Sequence, residues 1–115
     1  MAENFILKKN NSEEIILDHL TYATARLYNI GNYQRHNWTE DSGEDYPDWY
    51  KQKKELKNEF WYKNLPSQTA QETLKILANN WKAYYCGIKE YEKNPKKFTD
   101  KPGTPHYKSK DSKFN

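Results

Sequence analysis

A chain of 115 residues has room for one modest core, and its Leu, Ile and Phe number only 18, with no Val. Four Trp, ten Tyr and four Phe supply the missing bulk, and a formal charge of +3 is too small to hold the chain open, so the composition predicts a folded domain with an aromatic core. No stretch approaches the roughly 18 apolar residues of a membrane span, and the first 20 residues are too charged for a secretory signal, which excludes a membrane segment and predicts an intracellular, cytoplasmic protein.

Abundant Lys, Glu, Leu and Asn beside scarce Ile and Thr disfavour a sheet and predict an all-α fold: an antiparallel bundle of two long helices and one shorter helix. Phe5, Ile6 and Leu7 before Lys8 and Lys9 form a short apolar run, expected as a stub of extended strand or a packed arm within residues 1–10. Asn11 followed three residues later by Glu14 resembles a capping box and predicts a helix start. From there Ile16, Leu20, Ala23, Leu27 and Ile30 recur at intervals of 4, 3, 4 and 3, one stripe of a helix running to about His36. Gly31 inside that helix costs roughly 1 kcal/mol relative to Ala, so its presence points to a close helix crossing or a bend.

Asn37 to Tyr46 is polar and acidic and reads as a surface loop. Its carboxylates, Glu40, Asp41, Glu44, Asp45 and Asp48, lack the alternating ligands and closing Glu of a calcium loop. A second helix follows, with Asp45 as cap, Pro47 in its first turn, and Tyr46, Trp49, Leu56 and Phe60 on one side, ending between Phe60 and Lys63. After Pro66 comes the strongest periodicity: Ala70, Leu74, Leu77, Trp81, Tyr84, Ile88 and Tyr91 at a 3.5-residue spacing over three heptads. That is a helix of about 27 residues, about 40 Å long.

Residues 1–93, the helical unit, carry a net charge of −1, whereas residues 94–115 carry +4 and break any helix with Pro95, Pro102, Gly103 and Pro105. This segment reads either as a disordered basic tail or linker, or as an irregular arm laid along phosphates with Phe98, His106, Tyr107 and Phe114 available to stack on bases. Lone Cys86, between Tyr85 and Gly87, has no thiol partner and no activating charge, and is expected as a buried or half-buried small apolar residue.

No catalytic constellation stands out: His19, His36 and His106 are far apart, and there is no Gly-rich phosphate loop and no Cys-His metal spacing, so neither enzymatic activity, a metal site nor a cofactor is expected of these residues. His19 and His36 read as surface or hydrogen-bonded histidines. Phosphate attraction needs clustered cations. The candidates are Lys51, Lys53, Lys54 and Lys57 on the second helix, and Lys101, Lys108 and Lys110 with Tyr107 in the tail. The third helix adds Ser67, Gln68, Gln71 and Lys75 off its seam. Ser67 and Gln71 lie one turn apart near a helix N-terminus, the placement from which a Gln amide reads an adenine edge; equally they are solvated positions opposite the seam.

Three blocks carry a family resemblance: Leu27-Tyr28-Asn29-Ile30-Gly31-Asn32-Tyr33; Leu65-Pro66-Ser67-Gln68-Thr69-Ala70-Gln71-Glu72-Thr73-Leu74 continuing to Asn80-Trp81-Lys82-Ala83-Tyr84-Tyr85; and Lys101-Pro102-Gly103-Thr104-Pro105-His106-Tyr107-Lys108. In this order they resemble the N-terminal region of OrfB/TnpB-type transposon proteins, relatives of compact type V CRISPR effectors, over about residues 12 to 115. The resemblance implies an RNA-guided DNA endonuclease with a helical recognition lobe set in a wedge β-barrel. It implies DNA and a guide RNA as partners, and catalysis by a later RuvC-like domain and zinc ribbon, neither of which is in this sequence. By the same resemblance Phe5 to Lys9 is a wedge strand, and Gln71 contacts the motif beside the target. Ser67 stands where some relatives carry Lys, and His106 where Lys is more usual. Guide pairing would supply sequence choice, leaving the protein to read shape, backbone charge and a few bases. The alternatives are a helical interaction module that forms a homodimer or docks a helix through Trp81, Tyr84 and Tyr85, and a freestanding helix-turn-helix DNA binder.

Overall fold

The structure, a computed structural model, describes the backbone of residues 2–109 and the side chains of residues 18–109. It is a helical bundle, with no strand among the described residues. Helix α1 spans Ala2–Asn37, α2 Trp49–Glu55, α3 Phe60–Lys63 and α4 Ser67–Lys93. No helix of the described residues is long and apolar enough to cross a membrane.

Three sequence expectations need correction at the N-terminal half. Phe5 to Lys9 are helical rather than extended, and Asn11 and Glu14 lie inside α1 instead of starting it. A box of that spacing offers caps only where amide hydrogens lack partners, and several turns of helix precede it here. The second helix is shorter and broken: Asp48, not Asp45, caps α2, its carboxylate accepting from Lys51 N at 2.9 Å, with Pro47 outside the helix. After Glu55 the chain tightens into a 3-10 turn, Leu56–Asn58, and Glu59 is extended before α3. The break has a packing reason. It turns Leu56, Tyr62 and Leu65 into the core and leaves Phe60 62% exposed, where one continuous helix would have aimed Phe60 inward.

The core sits between α1 and α4. Ala23, Leu27 and Tyr28 from α1 pack with Ala70, Leu74, Leu77 and Trp81 from α4, and Leu56, Tyr62 and Leu65 close one side. Gly31 marks the close approach anticipated from the sequence: a Cβ there would lie 2.7 Å from Leu77 Cδ2 and 3.1 Å from Leu74 Cδ2. The first four seam positions of α4 are buried, whereas Tyr84, Ile88 and Tyr91 are half-buried. Cys86 is exposed, off the seam, contrary to expectation.

Buried polar side chains tie α2 to α1 beside this interface. Fully buried Gln52 donates from Nε2 to Gly31 O (2.9 Å) and Gln34 Oε1 (3.1 Å), and its Oε1 accepts from Arg35 Nε (3.0 Å). Arg35, itself buried, donates from Nη1 to the Tyr46 hydroxyl at 3.3 Å, which in turn shares a hydrogen bond with the Tyr85 hydroxyl at 3.1 Å. Partial burial of Tyr85, followed by this bond to Tyr46, pushes its phenol well above the ordinary tyrosine range.

The basic arm folds back. Beyond the 3-10 turn Pro95–Lys97, Pro102 packs on Gly87, whose added Cβ would meet Pro102 Cγ at 3.3 Å. Asn32 Nδ2 donates to Pro105 O (3.1 Å), and His36 Nε2 lies 3.1 Å from the same carbonyl. Asn29 holds Lys108 twice: its Oδ1 accepts from the Lys108 amide at 2.7 Å and its Nδ2 donates to the Lys108 carbonyl at 2.9 Å. That is the reciprocal pair a neighbouring strand would make, supplied by one amide side chain. Residues 102–108 are therefore a strap on α1 and α4, not a free tail.

Candidate nucleic-acid interface

The N-terminal turns of α4 and the whole of α2 meet at Trp49. Asp48 caps α2 and so sets Trp49 at its first position. From there the indole Nε1 donates to Gln71 O at 2.9 Å, tying α2 to the second turn of α4. Lys53, one turn on from Trp49, lays its Nζ 3.9 Å from the indole centroid and 5.1 Å from the Tyr50 ring. Lys75, one turn on from Gln71, brings its Nζ to 4.7 Å from the same indole. Two ammonium groups from different helices thus share one π-system, each interaction contributing on the order of 0.5–2 kcal/mol. The effect on function is positional, since the ring holds both charges beside Gln71 instead of letting them roam in solvent.

Ser67 and Gln68 are exposed on the first turn of α4, where backbone amide hydrogens point outward without a side-chain cap. Gln68 Nε2 reaches Glu72 Oε1 at 3.5 Å, and Gln71 is half-buried. Tyr50, 67% exposed, extends the patch with an open ring. Together these groups offer cations for phosphates, an aromatic face and amide side chains on one two-helix platform.

The remaining sequence candidates are placed otherwise. Lys51 is committed within the protein, its Nζ donating to Asp45 O at 2.8 Å and lying 3.7 Å from Glu55 Oε1. Lys54, Lys57 and Lys101 are exposed. Tyr107 stacks on His36 with ring centroids 5.3 Å apart, and Lys108 Nζ lies 5.2 Å from the Tyr28 ring, so both belong to the strap against α1 and not to the Trp49 cluster. Lys110 lies outside the described residues.

The sequence pattern places Trp49 only on one side of the second helix and does not mark it as a site residue. Its spacing of four from Lys53 is the available signal, because residues one turn apart on a helix meet. No sequence signal marks Lys75 as its second partner, since that interaction joins separate helices.

No family model matches this chain, and no curated protein or solved structure is similar enough to it to assign a family.

Proposed function

We propose that this chain is the nucleic-acid-recognition portion of an OrfB/TnpB-type, transposase-related RNA-guided DNA endonuclease, and that the Trp49 platform docks the phosphate backbone of duplex DNA or a guide heteroduplex. The observation that carries the reading is the convergence of Lys53 and Lys75 on Trp49 beside Gln71. It brings together residues of the block Leu65 to Tyr85, the most specific part of the resemblance, and Lys53 of α2. In this reading cleavage belongs to other parts of the endonuclease, the work is done on DNA in the cytoplasm, and Gln71 reads a base next to the target.

The test is a salt titration of duplex binding by the 115-residue chain. Binding should weaken steeply with salt, and Lys53→Ala with Lys75→Ala should reduce the magnitude of the slope of log K against log salt by about 0.9 for each phosphate that is no longer neutralised. Gln71→Ala should relax preference at one base pair while nonspecific affinity stays nearly intact. Absence of binding at low salt, or binding indifferent to salt, would overturn the reading.

One observation favours a second reading. Tyr85 is 42% exposed and Tyr84, Ile88 and Tyr91 are half-buried, so the second half of α4 offers rings to a partner helix or a second copy. Sedimentation at several concentrations separates the two: a salt-resistant dimer supports the interaction module, a monomer the nucleic-acid reading.

A further inference from the structure

Two hollows adjoin on α1, sharing Arg26 and Asn29 in their walls. The smaller, about 250 Å³, is also lined by Tyr22, Lys108 and Ser109. Its walls carry two cationic side chains already held by rings, Arg26 with its guanidinium 5.9 Å from the Trp61 ring and Lys108 with its Nζ 5.2 Å from Tyr28, together with hydroxyls, and no carboxylate is among its described lining residues. The larger, about 540 Å³, has Ile30 and Leu56 as aliphatic surface, Tyr33 and Tyr107 as rings, and Gln34 and Glu59 as its further polar groups. Tyr33 is 61% exposed, and Tyr107, with one face stacked on His36, is still 48% exposed, so both offer ring area to a ligand. Its size lies within the roughly 300–1,000 Å³ of small-molecule clefts.

The two chemistries are complementary in a fixed order. An anionic group is drawn to Arg26 and Lys108 and repelled from Glu59, so it belongs in the smaller hollow. A flat, largely apolar ring belongs against Tyr33 and Tyr107, where a carboxylate can accept from an amino group on the ring edge. Gln34 Oε1 is held by Gln52 Nε2 at 3.1 Å, which fixes that amide against the core. A ligand matching both halves has a phosphate at one end and an amino-bearing heterocycle at the other.

We propose that the paired hollows around Arg26 and Asn29 form one bipartite nucleotide site, with the base on Tyr33 and Tyr107 near Glu59 and the phosphate between Arg26 and Lys108. The site is composite. Arg26 and Tyr33 sit two turns apart on one face of α1, the 3-10 region brings Leu56 and Glu59, and the docked strap brings Tyr107 and Lys108. The Asn29 bonds to Lys108 hold the strap in the position that completes both hollows. The same chemistry is carried by a free mononucleotide and by an unpaired nucleotide in a strand.

The test uses the isotopically labelled 115-residue chain titrated with AMP, adenosine, inorganic phosphate and a 5′-phosphorylated single-stranded trinucleotide, followed by amide chemical shifts. AMP should bind at least tenfold more tightly than adenosine or phosphate and shift the amides of Arg26, Tyr33 and Lys108. Tyr33→Ala and Arg26→Gln should each weaken AMP about tenfold, in line with removal of one stacked ring or one charged phosphate donor, whereas Tyr33→Phe should bind as the parent does. A trinucleotide that binds more tightly than AMP identifies an unpaired strand as the source; one that binds no better identifies the free nucleotide. AMP no tighter than phosphate, shifts confined to other residues, or full affinity in Tyr33→Ala would overturn the proposal. Lys53→Ala with Lys75→Ala should leave AMP affinity unchanged, so failure of the nucleotide site and failure of the Trp49 platform are read separately.

Discussion

Two junctions meet on α1 and hold by different means. Against α4 the packing is aliphatic and close: Leu74 and Leu77 are fully buried beside a glycine, and next to them the buried Gln52 of α2 bonds to Gly31 O and to Arg35 of α1, whose Nη1 reaches the Tyr46 hydroxyl while its buried Nη2 has no hydrogen-bond partner among the described residues. Against the strap it is made by Asn29, Asn32 and His36, which hold backbone atoms of Pro105 and Lys108. Apolar burial contributes about 25 cal/mol per Å², whereas a hydrogen bond exchanged with water contributes on the order of 1 kcal/mol net. The first junction therefore carries the stability of the fold and the second carries the placement of one segment, and substitutions on each side should separate these roles.

The largest effect is expected from Gln52→Ala. It strips a partner from the Arg35 guanidinium and from Gly31 O inside the core, and should lower unfolding free energy by about 3 kcal/mol in urea titration. A change below about 1 kcal/mol would mean the network contributes little to holding α2 against α1 beside the α4 packing. Gly31→Ala comes next. Alanine improves helix propensity by about 1 kcal/mol, but its methyl would press on two fully buried leucines, and overpacking of about 1–3 kcal/mol should make the net change destabilising. A rise in melting temperature would show that the helices have room to part.

Asn29→Ala acts on the other junction. Protection of the Lys108 amide against hydrogen exchange should be abolished, at a cost of about 1 kcal/mol, while amides in α1 and α4 keep theirs. A parallel drop in protection in the core would make the strap part of the same cooperative unit. The smallest effect is confined to alkaline solution. Because the folded protein holds the Tyr85 phenol above its ordinary value near 10, the protonated form favours folding; that contribution is complete below about pH 10 and fades as the pH rises beyond it. Tyr85→Phe should thus show a shallower fall in stability above about pH 10 than the parent, and identical slopes would remove Tyr85 from the linkage.

What was legible in the sequence follows the same division. The seam from Ala70 to Tyr91, bounded by Pro66, specified α4 closely because its information is local and repeated. The stripe Leu20 to Ile30 likewise specified the packed part of α1, and Gly31 announced the approach of a neighbour. Gln52 and Arg35 gave no such sign, since a polar residue in an amphipathic pattern looks solvated until a partner from another helix is known. The strap was hidden for a further reason. Asn29 and Lys108 are 79 positions apart and meet through side chain and backbone, an arrangement that leaves no periodicity behind. At the candidate interface the residue types at Lys53, Lys75 and Gln71 were legible, but their convergence on Trp49 was not.

Asn32 belongs to both junctions at once. Its Oδ1 accepts from the Trp81 indole at 2.8 Å while its Nδ2 donates to Pro105 O at 3.1 Å. The asparagine amide offers a neutral acceptor and donor on two separate atoms at that reach, whereas a serine or threonine hydroxyl would serve both partners from one oxygen held closer to the backbone. Aspartate would keep the indole and present a second acceptor to a carbonyl; leucine would match the volume and strand both partners; glutamine carries the right atoms one methylene too far out. The chemical alphabet at this position is thereby narrowed to a single letter, by the meeting there of two segments that the chain itself keeps well apart.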